Sequence, residues 1–384
     1  MGMHTSEQER IHSMDAIRGF AVFGIFFVNW PSLVGIETLD QERLYTGTDA
    51  YIRLFYDLFV QTKFYTIFAF LFGLGFYIFI TRAKAKTKYP SLLFIKRLLL
   101  LFLFGTLHYI LLWDGDILHS YAIAGLFLAL FSKRSPRTVI TWSIALLSLF
   151  MLFIFVAYGG MNHSASDAKP HYTAPLENWA MHAKERFSFF IGENLLVNLI
   201  YLPETIGLFL LGLYCAKKQV FTRVPELNDK LKKIQFAALL LTLPSWYKII
   251  QYFIEADVYN SAKVFPYILA SGKTLFVFYI VSMLRMMENP KWQQRLRPFQ
   301  YIGKMALTNY LSQTIITILA FGLFSAPSPL PLATGIIFCS VLFLLQIAAS
   351  KWWLARFQYG PFEYIWRVGT YGKIMPFIRE KSPE

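Results

Sequence analysis

Ten long apolar runs, separated by shorter polar links, decide the solvent in which this chain folds. They lie at roughly 14–36, 61–81, 94–113, 116–132, 138–158, 195–216, 234–254, 264–286, 302–324 and 331–350, the fourth being the shortest. Crossing a bilayer takes about 20 mostly apolar residues. In lipid the backbone polar groups have no water to bond, so such runs must be helices. Their length excludes a membrane β-barrel, whose strands are about ten residues of alternating polarity. Composition agrees. Hydrophobic residues make up 56% of the 384 and charged residues only 16%, whereas a soluble domain carries about a quarter charged. The expected fold class is all-α: a polytopic integral membrane protein, residues 1–384 forming one domain, a bundle of about ten transmembrane helices.

The formal net charge of +14 would suggest nucleic acid in a soluble protein. Here its placement carries the information. The links 82–97, 133–137, 217–233 and 285–304 and the tail after 350 are rich in Lys and Arg, the first holding Arg82, Lys84, Lys86, Lys88, Lys96 and Arg97. The links 37–60, 114–115, 159–194, 255–263 and 325–330 are poor in them. With ten spans, both termini and every basic link fall on one side, which the positive-inside rule makes cytoplasmic. The chain then divides into five spans over 14–158, a long extracytoplasmic loop over 159–194, five spans over 195–350 and a cytoplasmic amphipathic tail over 351–384. No nucleic-acid partner is expected; the bilayer is the expected partner, and oligomeric assembly stays open. The first run lacks a cleavage site and reads as a retained helix. Cys215 and Cys339 lie in apolar runs, so neither a disulfide framework nor a cysteine metal site follows. Tyr51, Leu54, Phe55, Leu58 and Phe59 recur at helical spacing, an amphipathic lead-in on the outer surface, and Leu176 to Phe190 reads as a second interfacial helix. The sequon Asn162-His163-Ser164 faces the same side.

Ionisable groups inside spans are costly and are functional candidates by default. The densest set is Lys96-Arg97, then Gly105-x-x-His108, then Trp113-Asp114-Gly115-Asp116 with His119 close behind. A tight outer turn between spans three and four folds Asp114 and Asp116 back towards His108. Imidazole with a carboxylate partner is what general base chemistry requires, the carboxylate fixing the tautomer. His108, Asp116 and His119 also have spacing that a metal could use, a weak signal; no metal is expected. Arg18, near the start of the first span, offers a planar donor fork to phosphate or carboxylate, or else pairs with Asp15 to anchor a helix end. Asn29 follows on the same helix. Glu204 and Lys273 lie at equal depth in spans six and eight, opposite in sign, and read as an intramembrane pair or a proton relay. Thr308, Asn309 and Gln313 bring polar groups into span nine, as interhelical bonds or as substrate contacts. Glu363 and Arg367 are spaced to pair on a short helix in the tail. Gly73-Leu74-Gly75 offers close helix packing.

Taken in order, these stretches resemble the YeiB-type bacterial membrane proteins, the family called domain of unknown function 418. The likeness runs through Arg10 to Asn29, Phe68 to Phe76, Lys96 to Ala122, Gly303 to Gln313 and Gly360 to Arg367. The family usually has paired arginines where this chain has Lys96-Arg97. The resemblance implies a ten-helix bundle in a bacterial plasma membrane. It also implies distant kinship with transmembrane acyltransferases, including the heparan glucosaminide N-acetyltransferases, which move an acyl group from cytoplasmic acyl-CoA to an acceptor across the membrane. The expected function is therefore acyl transfer. Arg18, Lys96, Arg97 and Lys304 would attract the phosphates of acyl-CoA as donor substrate. His108, oriented by Asp116 or Asp114, would deprotonate a hydroxyl or amine acceptor, and Asn29 and Gln313 would donate to the oxyanion. The alternative is a proton-coupled transporter or exporter of a small amphiphile or anion, using Glu204, Lys273 and His108.

Overall fold

The structure, a computed structural model, describes residues 2–35, 44–85, 87–160, 179–322 and 330–379. Lys86, the sequon and the first part of the 159–194 link lie outside the described residues. In chain order the helices are α1 (Gly2–Leu33), α2 (Gly47–Phe59), α3 (Lys63–Lys84), α4 (Pro90–Leu111), α5 (Leu118–Phe131), α6 (Pro136–Gly160) and α7 (Trp179–Phe189). There follow α8 (Leu195–Lys217), α9 (Val224–Glu255), α10 (Phe265–Met286), α11 (Pro290–Lys304), α12 (Ala306–Gly322), α13 (Leu332–Leu354) and α14 (Pro361–Tyr371). One turn of π-helix, Phe190–Asn194, joins α7 to α8. Among the described residues there is no strand, only isolated bridges Tyr45–Tyr259 and Phe357–Ile378.

Local chemistry sets the boundaries. Proline stands in the first turn of α4, α9, α10, α11 and α14, where its missing N–H has no helical partner to lose. The Asn289 side chain caps α11 by accepting the Lys291 N–H, and Gly372, at φ +62°, ends α14.

Seven helices among the described residues are long and apolar enough to cross a membrane, α2 and α3 counting as one; α11 and α12, bent by 76° at Met305, make an eighth if the pair is one span. This is a multi-span helical membrane protein. Each of the ten apolar runs lies on a helix, but the fourth and seventh do not join the spanning set. For α5 the reason is length. Its 14 residues rise about 21 Å, short of the roughly 30 Å hydrocarbon core. The α9 helix is long, but its apolar stretch is interrupted by Gln235, Pro244, Ser245, Lys248 and Gln251.

Two helix pairs meet at glycine. A Cβ on Gly73 would lie 1.8 Å from the Phe209 carbonyl oxygen, and one on Gly212 would lie 1.9 Å from that of Phe70, so α3 and α8 touch backbone to backbone. Gly75, by contrast, faces open space. In the same way Gly19 sits on Phe299 and Gly303 on Asp15, which locks α1 to α11. Small residues permit such approach, and without a hydrophobic drive between helices in lipid, close packing is what holds them. The main buried core runs along α1, α3, α4, α5, α8, α10 and α12, and a second cluster lies between the end of α1, α2, α10 and α13. Outward faces of α6 and α13 are rows of exposed Leu149, Leu152 and Val156, and of Ile337, Val341 and Leu344, the surface expected against lipid tails. The amphipathic α2 turns Tyr51 and Phe55 outward and buries Arg53 and Asp57.

Candidate active site

His108 lies one turn before the end of α4, and the 112–117 turn brings Asp116 back onto it. Within this turn Asp116 is buried and Asp114 is exposed. Gly105 is what lets the turn close. A Cβ there would lie 2.3 Å from the His119 nitrogen and 2.9 Å from Asp116 Oδ1. The carboxylate is then saturated with donors. Its Oδ2 faces His108 Nδ1 at 2.8 Å and accepts from the Tyr310 hydroxyl at 3.3 Å. Its Oδ1 accepts the Leu118 N–H at 2.8 Å and faces His119 Nδ1 at 3.4 Å. On its other side His119 Nε2 meets Asn194 Oδ1 at 3.0 Å, an atom supplied by the π-turn.

All three groups are sealed. His108 is 3% exposed, Asp116 4% and His119 1%. The His108 ring sits between Trp113, which donates its indole N–H to Ser32 Oγ of α1, and Tyr310. Its Nε2 is buried and has no hydrogen-bond partner. Above the site, α7 is fastened to the end of α4: Arg186 Nε donates to the Ile110 carbonyl at 2.8 Å and Trp179 Nε1 to that of Leu111 at 2.7 Å, two of the carbonyls a helix end leaves without internal partners.

Asp114 takes a different place. It is exposed and acts electrostatically on Arg186 and Tyr109, so Asp116 is the carboxylate that meets His108. Among the described residues no three histidine, cysteine, aspartate or glutamate side chains are grouped to hold a metal ion. His108, Asp116 and His119 do touch, but the imidazoles point Nδ1 at the carboxylate and leave no common centre for an ion.

The proposed phosphate cluster is at the other end of the bundle. Arg18 Nη1 donates to Asp15 Oδ1 at 3.0 Å and to the Gly303 carbonyl at 3.4 Å. Arg97 stacks on Trp366 of α14, its guanidinium 3.7 Å from the ring centre. Lys96 and Lys304 are exposed. Glu363 caps the broken span at the start of α12, accepting the Leu307 N–H at 2.7 Å and the Thr308 N–H at 3.1 Å. Burial pushes its carboxyl above the ordinary value, and these hydrogen bonds offset the rise only in part.

Asn309 and Gln313 join α12 to α13. Asn309 Nδ2 donates to Ser350 Oγ at 3.1 Å, and Gln313 Nε2 to Gln346 Oε1 at 3.0 Å. Asn29 is half-buried. Glu204 of α8 and Lys273 of α10 form a direct ion pair, with Tyr65 donating to Glu204 Oε1 at 2.7 Å and accepting from Lys273 at 3.1 Å. A groove of about 650 Å³ between α6, α9 and α10, lined by Phe155, Leu243, Pro244, Tyr247, Lys248 and Tyr267, is apolar. Neither it nor a small pocket at Leu74, Tyr77 and Cys215 is lined by Arg18 or His108.

Sequence reasoning missed a second buried network. Asp57 accepts from Arg53 Nε at 3.0 Å, Tyr259 hydroxyl at 2.7 Å and Ser261 hydroxyl at 2.6 Å. Lys63, fully buried, donates to the Asp57 carbonyl and to Ser271 Oγ. The signal was available: Lys63 opens an apolar run, and Arg53 and Asp57 are spaced i,i+4 on an otherwise apolar helix. Asn194 and Asn198 carried no such signal.

These features define a polytopic helical membrane protein with a buried histidine–carboxylate cluster at one end and a cationic surface at the other. Residues 215–373 match the family described as protein of unknown function (DUF418). Over almost its whole length the chain is similar to the uncharacterized protein YxaH of Bacillus subtilis, 30% identical over 408 residues with 98% of each chain covered. It is also similar to the uncharacterized protein YeiB of Escherichia coli, 26% identical over 403 residues, covering 97% of this chain and 100% of that one. An uncharacterized 39.9 kDa protein of Bacillus acidopullulyticus is 29% identical over 379 residues, with 98% of each chain covered. The chain belongs to the DUF418 family.

Proposed function

We propose that this protein is a membrane-embedded acyltransferase of a bacterial plasma membrane, with both termini and the cationic end cytoplasmic, acyl-CoA as donor and a hydroxyl or amine acceptor from the outer side. One observation carries the reading. His108 has Nδ1 held by a buried carboxylate, while Nε2 is buried and without a partner. That is the arrangement of a general base: the carboxylate fixes the tautomer and the free lone pair takes the proton. In the step, the acceptor O–H or N–H gives its proton to Nε2, the acceptor atom bonds to the thioester carbonyl carbon, the C–S bond breaks, and the proton passes to the departing thiolate. Arg18, Lys96, Arg97 and Lys304 supply positive charge for the phosphates. With His108 only 3% exposed, substrates reach it only if a covering element moves; Trp113 and Tyr310 flank the ring, and α7 is fastened to the end of the helix that carries it.

The test is release of labelled acyl groups from acyl-CoA by purified protein in lipid vesicles, with and without outer-face hydroxyl and amine acceptors. His108→Ala should fold and bind acyl-CoA but transfer nothing. Wild-type transfer by that variant removes the role. The buried Glu204–Lys273 pair with Tyr65 favours a second reading, a proton-coupled carrier of a small amphiphile or anion. That reading requires uptake or export without covalent change and a dependence on the proton gradient.

A further inference from the structure

Neither reading of the reaction uses the groove between α6, α9 and α10. Its volume of about 650 Å³ falls in the range of about 300–1,000 Å³ typical of small-molecule sites. Pro244 stands inside α9 and lines the groove. It has no N–H to give the Leu240 carbonyl one turn back, and Leu240 is a lining residue too. Phe155 of α6 and Leu240 and Leu243 of α9 are apolar walls, and all three are exposed. The groove thus opens where α6 and α10, both long and apolar enough to span, meet hydrocarbon. Phe155 lies near the end of α6, Lys248 near the end of α9 and Tyr267 near the start of α10, which puts the groove on the side away from the basic links. Lys248 is its one charged lining residue. The side chain is exposed, and its Nζ donates to Gln251 Oε1 at 3.2 Å, which turns it towards the C-terminal end of α9 and away from Leu240. Gln251 in turn donates to Glu255 Oε1 at 2.9 Å. The other neighbour of the ammonium is the Tyr247 ring, 5.7 Å to its centre; among the described residues no carboxylate pairs with Lys248. Tyr247 and Tyr267 are rings of the kind that gather at the membrane–water interface.

We propose that this groove is a binding site for one anionic phospholipid, with an acyl chain along Phe155, Leu240 and Leu243 and the headgroup phosphate on Lys248. The apolar walls and the cation at one end call for a molecule that carries both parts. A soluble anion gains nothing from walls that face hydrocarbon. A neutral lipid leaves the ammonium without counter-charge beside an apolar face, where charge is costly. A phosphate supplies that charge and accepts strong, charge-assisted hydrogen bonds from the ammonium. A lysine stem lies readily along apolar surface with its head towards the headgroups, and Gln251 holds the Lys248 ammonium in that direction. In the topology proposed above this is the outer leaflet. The site itself rests on the groove and on neither reading of the reaction.

The experiment is photolabelling of the full chain in phosphatidylcholine vesicles. A trace of phosphatidylglycerol carrying a diazirine on one acyl chain is added, and phosphatidylcholine with the same labelled chain is run in parallel. Labelled residues are located by mass spectrometry. Phosphatidylglycerol should label Phe155, Leu240, Leu243 and Tyr267 in preference to Ile337, Val341 and Leu344, the exposed row on α13, and more than phosphatidylcholine does. Lys248→Gln, a change of an exposed side chain, should cut phosphatidylglycerol labelling of the groove about fivefold, the weight of one lysine beside lipid phosphate, and leave α13 labelled as before. Leu243→Trp, which fills the groove, should clear it of both lipids; should that variant not fold, Lys248→Gln decides. Equal labelling of groove and α13, equal labelling of the groove by the two lipids, or groove labelling that Lys248→Gln leaves unchanged overturns the proposal, the groove then holding bulk lipid only. Acyl release enters none of these readouts, so the lipid site and the transfer reading stand or fall separately.

Discussion

Beside α4, one carboxylate, two imidazoles and a phenol are sealed from solvent; between α2 and α10, Asp57, Arg53, Lys63 and Tyr259 are sealed as thoroughly. Asp57 and Lys63 are 0% exposed, and Arg53 is 6%. Both networks hold ionisable groups in a bundle whose other surfaces are apolar. They differ in completion. Each side chain around Asp57 has a partner, and the bonds run between α2, the start of α3, the segment before α10 and α10 itself. The Asp116 network spends every lone pair of the carboxylate and still leaves His108 Nε2 with none. A complete network fixes helices in register. An incomplete one holds a buried group ready to bond to something that arrives, at the cost of leaving it unsatisfied meanwhile.

Three substitutions test this contrast, and a fourth sets a reference outside it. The largest effect is expected on turnover. His108→Ala should lower acyl release by about 10²- to 10⁴-fold, the usual weight of a positioned base, in a variant that still folds in detergent with a lowered melting midpoint, because the emptied ring site and the lost bond to Asp116 cost about 1–3 kcal/mol; unfolding of the variant would make the two networks one kind. Next comes Asp57→Asn, which strands Arg53 and Lys63 without their anion. A loss of about 3–5 kcal/mol is expected, read by thermal or denaturant unfolding, and a variant that melts with the parent would remove the structural role given to Asp57. Tyr310→Phe deletes one donor from Asp116 while keeping the ring. The expected cost is about 1 kcal/mol, or roughly a few-fold in transfer rate; loss as large as that of His108→Ala would place the hydroxyl in the reaction itself.

The smallest effect concerns pH and lies outside both networks. Burial raises the Glu363 carboxyl above the usual 4.5, so the folded state holds this proton more tightly than the unfolded chain. The stability that follows is complete below the ordinary value and is lost as pH rises through the folded one. Glu363→Gln should remove that slope from melting midpoints measured across about pH 4 to 7. The same slope in both proteins would move its origin elsewhere.

Reading along the chain reached the helices through run length and the cationic end through charge placement. It reached the pair Glu204–Lys273 because depth is counted in residues from a helix end. Such counting did not say that α5 is too short to span, because the fourth run merges turn and helix into one apolar stretch. It left Asp114 and Asp116 as equal partners for His108, and the fold separates them. Two residues apart on a turn, one faces the bundle and the other faces solvent. Asn194 closes the 159–194 link and Asn198 is a lone amide at the start of the sixth run, and they matter only because the π-turn and α8 bring them onto α5.

Apolar length and charge asymmetry are properties of local sequence, and the surrounding solvent enforces them whatever the neighbours do; they were enough to make this a bundle of membrane helices with one basic end. Which polar atoms meet depends on the rotation, tilt and termination of each helix. Gly105 against His119, Gly73 against Phe209 and the break at Met305 set those quantities, and they act only once the helices are packed. That is why the carboxylate that holds His108, the second imidazole beside it and the bare nitrogen between Trp113 and Tyr310 belong to the tertiary structure alone.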